Sequence, residues 1–165
     1  MSSETIYHLL GKISITFASF EYGLIDLLEY LLTKGKDTLV GPYILNEISI
    51  ATKIQKTRSV AELRLWEHKS TFSELKKVLD DIDKLRVQRN LFIHGYWYIR
   101  EPSDNADSVT VHDFKPMLDK KSGSWQELKT ERVSRTKLKE LLQKTTATLE
   151  NLTSIDADIR KLKLR

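Results

Sequence analysis

The run Arg89-Asn90-Leu91-Phe92-Ile93-His94 sets a guanidinium and an imidazole five residues apart, with a carboxamide directly after the arginine. A guanidinium clamps a phosphate through paired hydrogen bonds, and an imidazole exchanges protons near neutral pH, so this set suits acid–base chemistry on an anionic substrate. Arg86, Asn90 and His94 recur at four-residue steps and so form one strip of a helix. Arg89 falls where the apolar pattern asks for a leucine. A buried, unpaired guanidinium is strongly disfavoured and cannot shed its proton, so Arg89 needs a partner. Either it pairs with an acidic residue of the first helix, Glu21 or Asp26, or it faces a cleft that receives an anion. His94 ends its helix, where the macrodipole favours positive charge. From Arg89 to His94 is about 140° around an ideal helix, so the two side chains diverge unless the last turn unwinds, which Gly95 permits.

These residues must be carried by helices. Ile6, Leu10, Ile13, Phe17, Phe20, Leu24, Leu27 and Leu31 follow a 4-3-4-3 spacing that only a long amphipathic helix lines up on one face, and Gly35 is a natural C-terminal stop. Gly41-Pro42 marks a loop. A weaker pattern from about Glu47 to Glu67, through Ile48, Ala51, Ile54, Ala61 and Leu65, predicts a second helix. Thr71-Phe72-Ser73-Glu74 matches a capping box and predicts the start of a third, striped by Phe72, Leu75, Leu79, Ile82, Leu85 and Phe92 and stopping at Gly95.

Between Tyr96 and Val133 the pattern changes to short alternating runs, Tyr96–Ile99, Val109–His112 and Trp125–Leu128, separated by turn-forming polar residues. They predict a two- or three-stranded antiparallel flap. From Ser134 to about Leu164 the helical period returns through Leu138, Leu141, Leu142, Leu149, Leu152, Ile155, Ile159 and Leu162. The expected fold is mainly α: a four-helix bundle in one domain over residues 1–165, with a small antiparallel β insertion, about residues 96–133, between the third and last long helices.

Composition narrows the chemistry. The 165 residues include no cysteine, which excludes disulfides, thiolate metal sites and thiol nucleophiles. No apolar run approaches the ~18 residues that cross a bilayer, and the N-terminus has no secretory pattern, so a cytoplasmic protein without membrane attachment is expected. Residues 115–165 carry 13 basic and 7 acidic side chains, an excess that fits a polyanionic partner or a solvated helix face. His8, His68 and His112 lack metal-ligand spacing, and Asp80, Asp81 and Asp83 do not share a helix face, so no metal site is expected. Tyr96, Trp97, Tyr98, His112 and Trp125 are candidates either for stacking unpaired bases or for packing the flap.

The string Arg89–His94, with Asn90 after the arginine and the continuation Gly95-Tyr96-Trp97, resembles the R-x4-6-H signature of HEPN domains. The organisation is similar as well: a long first helix with an acidic residue, Glu21, midway, a motif helix ending at the histidine, a β insertion and a final helix. The resemblance implies a metal-independent, cofactor-free RNA endonuclease in which the 2′-hydroxyl attacks its own phosphodiester. Arg89 would stabilise the phosphorane, His94 would transfer protons, and Asn90 would orient either the histidine or the phosphate, with Arg86, Tyr96 and Trp97 binding RNA. Cleavage calls for both a base and an acid, and a homodimer pairing two motif helices would supply two histidines. The step His94-x-Tyr96 resembles HEPN toxins whose antitoxin modifies that tyrosine, which implies an antitoxin partner and a toxin or antiphage-defence role. The β insertion departs from those compact all-helical toxins. The alternative is a non-catalytic dimeric module of the same fold that binds nucleotide, RNA or another protein.

Overall fold

A computed structural model describes residues 3–35, 45–98, 108–112, 130–162 and 164. Its elements run α1 (Ser3–Thr33), α2 (Ile50–Arg64), α3 (Lys69–His94), β1 (Tyr96–Tyr98), β2 (Ser108–His112), β3 (Thr130–Ser134) and α4 (Arg135–Arg160). The chain is mainly helical, with a small antiparallel sheet inserted between the third and last long helices. The expected Gly41-Pro42 loop and the expected strand residues Ile99 and Trp125–Leu128 lie outside the described residues. Among the described residues no helix is long and apolar enough to cross a membrane.

The chain divides into two compact units. Residues 15–85 and 144–165 form one, in which parts of all four helices pack together. Its core holds Phe17, Phe20, Leu24, Leu27, Leu28 and Leu31 from α1, Ile54 and Ala61 from α2, Leu75, Leu79 and Ile82 from α3, and Leu152 and Ile159 from α4. Phe17 and Phe20 meet edge to face, with centroids 5.3 Å apart. Polar ties add to the apolar burial. Of the two carboxylates that the sequence offers to Arg89, Glu21 accepts from the buried Lys53 Nζ at 3.4 Å, and Asp26 accepts from Arg160 Nη2 at 2.7 Å. Arg58 of α2 pairs with Asp80 of α3, and Arg64 Nε donates to the Leu31 carbonyl at 2.9 Å, which occupies an acceptor at the end of α1. There α1 terminates through two left-handed residues, Lys34 at φ 56° and Gly35 at φ 72°.

Local chemistry places the other ends. Ser49 caps α2, its Oγ accepting from the Thr52 amide at 3.2 Å. α3 begins two residues before the Thr71 box: His68 N–H closes a turn onto the Leu65 carbonyl at 2.8 Å, and the His68 carbonyl then accepts the Phe72 amide at 3.0 Å. The backbone supplies the start, and Thr71 lies within the first turn.

Residues 1–14 and 86–143 form the second unit, holding the start of α1, the last turns of α3, the sheet and the start of α4. The sheet order is β1-β2-β3, with Trp97 opposite Val111 and Val109 opposite Val133. Val111 and Val133 are fully buried, so this alternation sends one face of the sheet inward. β3 lies at 130–134, C-terminal to the third run seen in the sequence. Ser134 ends β3 and caps α4, its Oγ accepting from the Lys137 amide at 3.1 Å.

Candidate functional site

α3 carries Arg86, Arg89, Asn90 and His94 through its last three turns and stops beside the sheet, so all four belong to the second unit. The stop is made by contacts. Gly95 N–H still bonds to the Leu91 carbonyl at 2.9 Å, and Trp97 Nε1–H donates to the Phe92 carbonyl at 2.7 Å. Two carbonyls that the helix end would leave unsatisfied are thereby taken up. The Trp97 ring sits 6.1 Å from that of Phe92, which fixes β1 against the helix that precedes it.

Gly95 is required for space. Its backbone lies outside the left-handed region, but a Cβ there would run into the Leu91 carbonyl and Val111 Cγ1 and come within 3.2 Å of the His112 carbonyl. Strand β2 therefore packs directly onto the residue after His94. The bond from Gly95 to Leu91 shows that α3 does not unwind before the histidine.

Arg89 and His94 nevertheless meet. Nη1 of Arg89 lies 3.4 Å from Nε2 of His94 and donates to Asn90 Oδ1 at 3.2 Å. The flexible arginine side chain spans the angle that the helix leaves between them. A guanidinium only donates, so in this contact Nε2 of His94 is the accepting partner. Arg89 and Asn90 are half-buried and His94 is exposed. A half-buried guanidinium braced by a neutral amide beside an exposed imidazole can meet an anion without desolvating either partner completely.

The structure thus brings Arg89, Asn90 and His94 together. Arg86 is half-buried one turn before Asn90. Tyr96 stands 58% exposed on β1, whereas Trp97 is half-buried and engaged with Phe92. His112, which the sequence offered only as a flap aromatic, is the Cα partner of Tyr96, and its Nδ1 lies 3.1 Å from Thr130 Oγ1. Nothing in the spacing of the sequence joins His112 to His94, because the pairing depends on strand register. Asp80 and Asp81 pair with Arg58 and Lys84, and the hydrogen bond from Lys84 to Asp81 raises the lysine's pKa.

Charge is distributed unevenly between the units. Among described residues the second unit has seven Lys or Arg against three Asp or Glu, a net +4, while the first has twelve against thirteen, a net −1. The cationic excess therefore accompanies Arg89 and His94. No family model, curated protein or solved structure matches this chain.

Proposed function

We propose that this protein is a metal-independent RNA endonuclease of HEPN type, with Arg89 and His94 as its working pair and Asn90 bracing the guanidinium. One observation carries the reading: the guanidinium and imidazole converge at 3.4 Å at the end of α3, in the unit that holds the cationic excess. An RNA phosphate competes for the Arg89 N–H groups now shared with Asn90 and His94. Once the guanidinium turns to the phosphate, Nε2 of His94 accepts the proton of the adjacent 2′-hydroxyl. Arg89 then balances the charge that develops on the phosphorane oxygens. Arg86 and Tyr96 extend the contact with RNA, and Trp97 acts through the strand it anchors.

In-line displacement needs a second proton-transfer group, and a homodimer is one source, each copy lending its own His94 to a shared seam. A homodimer is also favoured by α1, where Tyr7, Ile15 and Tyr22 are 62%, 71% and 74% exposed at spacings of eight and seven residues, on the side opposite the buried stripe. The biological setting proposed is a cytoplasmic toxin or antiphage-defence effector restrained by an antitoxin protein.

The test is incubation of the purified protein with an all-ribose oligonucleotide and with one carrying a single 2′-deoxy residue at the cleaved linkage. The reading expects a 2′,3′-cyclic phosphate end from the first, with or without EDTA, and an intact second strand at that linkage. Cleavage of the deoxy linkage, or cleavage abolished by EDTA, contradicts it.

A further inference from the structure

Nη1 of Arg89 can only donate, so its contact with His94 uses Nε2 as an acceptor, the role that nitrogen plays as a base. The departing 5′-oxygen then requires an acid from elsewhere. The sheet register aligns Tyr96, His112 and Thr130 in one row across the three strands, with all three side chains on one face. The adjacent row contains the fully buried Val111, so the row of His112 lies on the outward face, where Tyr96 and Thr130 are exposed and His112 is half-buried.

Nδ1 of His112 is held by the Thr130 hydroxyl at 3.1 Å. A hydroxyl accepts from Nδ1–H whether or not the ring is cationic, so the anchor survives when Nε2 gives up its proton. The row also lies close to the motif helix. Gly95, the residue after His94, packs against the His112 carbonyl, and Tyr96, two residues after His94, is the Cα partner of His112. Two peptide steps plus one strand spacing limit the distance between the His94 and His112 Cα atoms to about 13 Å at most, within the reach of two histidine side chains and one phosphodiester between them.

Resting on the RNA-cleavage reading above, we propose that His112 is the general acid of the reaction, supplied by the same chain as His94. As O2′ bonds to phosphorus, its proton passes to Nε2 of His94. The P–O5′ bond breaks, and O5′ takes the proton from Nε2 of His112. The products are a 2′,3′-cyclic phosphate and a 5′-hydroxyl. One imidazole has gained a proton and the other has lost one, and exchange with water restores both.

A 5′-bridging phosphorothiolate tests the assignment, because a thiolate leaves without being protonated. On ordinary RNA, His112→Ala is expected to lose about 10²-fold or more in single-turnover rate, and on the phosphorothiolate to come within about tenfold of the unmodified protein, whereas His94→Ala stays slow on both. Thr130→Val keeps the imidazole but removes its anchor, and should show a smaller loss with the same rescue, a second route if His112→Ala does not fold. If His112→Ala cleaves ordinary RNA within about threefold of the unmodified protein, the proposal fails, while the Arg89–His94 reading stands with a second copy as the acid source. An equal deficit on both substrates also overturns it, since a residue that merely holds the sheet gains nothing from a better leaving group. An unmodified protein that cleaves neither substrate overturns this proposal and the function it rests on together.

Discussion

The guanidinium of Arg89 reaches the imidazole of His94 across five residues of unbroken helix, Nη1 to Nε2 at 3.4 Å, and the same nitrogen donates to Asn90 Oδ1 at 3.2 Å. An ideal helix sends positions five apart about 140° in different directions, so the meeting is made by the length of the arginine. This contact can be exchanged for a phosphate oxygen without moving the backbone. The arrangement is a resting pair, with the imidazole's acceptor nitrogen already oriented.

Replacing Arg89 by lysine should therefore be far from neutral. Lysine keeps the charge but has no planar fork with which to hold Asn90 and a phosphate together. Cleavage by Arg89→Lys is expected to fall about 10²-fold, the scale for loss of a preorganised donor to developing charge, while RNA affinity changes little. Single-turnover rates beside a direct binding measurement separate the two effects.

Gly95→Ala tests how β2 supports the end of α3. The added methyl meets the Leu91 carbonyl and the fully buried Val111, neither of which is the tip of a flexible side chain. Overpacking there is expected to destabilise the fold by about 1–3 kcal/mol. Thermal melting reads it directly, and an unchanged midpoint contradicts the packing described.

Glu21→Ala removes the carboxylate facing Lys53, whose side chain is only 3% exposed. A buried ammonium left without its partner is costly, but Glu21 is 42% exposed and water screens the pair, so a loss of about 1–2 kcal/mol in denaturant unfolding is expected. Substituting Lys53 by methionine in the same background should restore part of the loss.

Arg160 ties α4 to α1 through Asp26 and lies 4.8 Å from the centre of the Tyr30 ring. The hydrogen bond from Arg160 to Asp156 holds the guanidinium's pKa above its ordinary value. Burial pulls it down, while the charges of Asp156 and Asp26 add to the rise. A cation whose folded pKa is raised contributes stability that is complete below the unfolded value and disappears only as pH rises through the folded one. For an arginine that window lies above the working range, so Arg160→Gln should cost about 1 kcal/mol or less, equally at about pH 6 and about pH 9. A difference between the two would assign the tie to another titrating group.

Much of this architecture can be read from the order of residues, where periodicity and packing coincide. The stripe of α1 from Ile6 to Leu31 is almost wholly buried, with Leu9 taking the inward position beside the half-buried Leu10, and α3 ends at His94 before Gly95. The start of α3 is not legible in that way, because the cap is a backbone carbonyl at His68 and Thr71 only imitates a box. Strand β3 is similarly hidden: Thr-Glu-Arg-Val-Ser offers one buried apolar residue, Val133, and owes its place to pairing with β2. Lys53 and Thr57 are buried on α2 although neither side chain is apolar. At the site, the residues of the Arg89–His94 string are visible in sequence, but their convergence depends on side-chain reach, and the placing of His112 beside Tyr96 depends on register.

In the proposed reaction His94 moves a proton at an RNA phosphodiester that Arg89 helps to hold. The most direct measurement is the single-turnover cleavage rate of His94→Ala on an all-ribose oligonucleotide, with helicity checked by circular dichroism. A fall of about 10²–10⁴-fold at unchanged helicity is predicted, the range for loss of a positioned proton-transfer group. A folded His94→Ala protein that cleaves as fast as the unmodified one would contradict it.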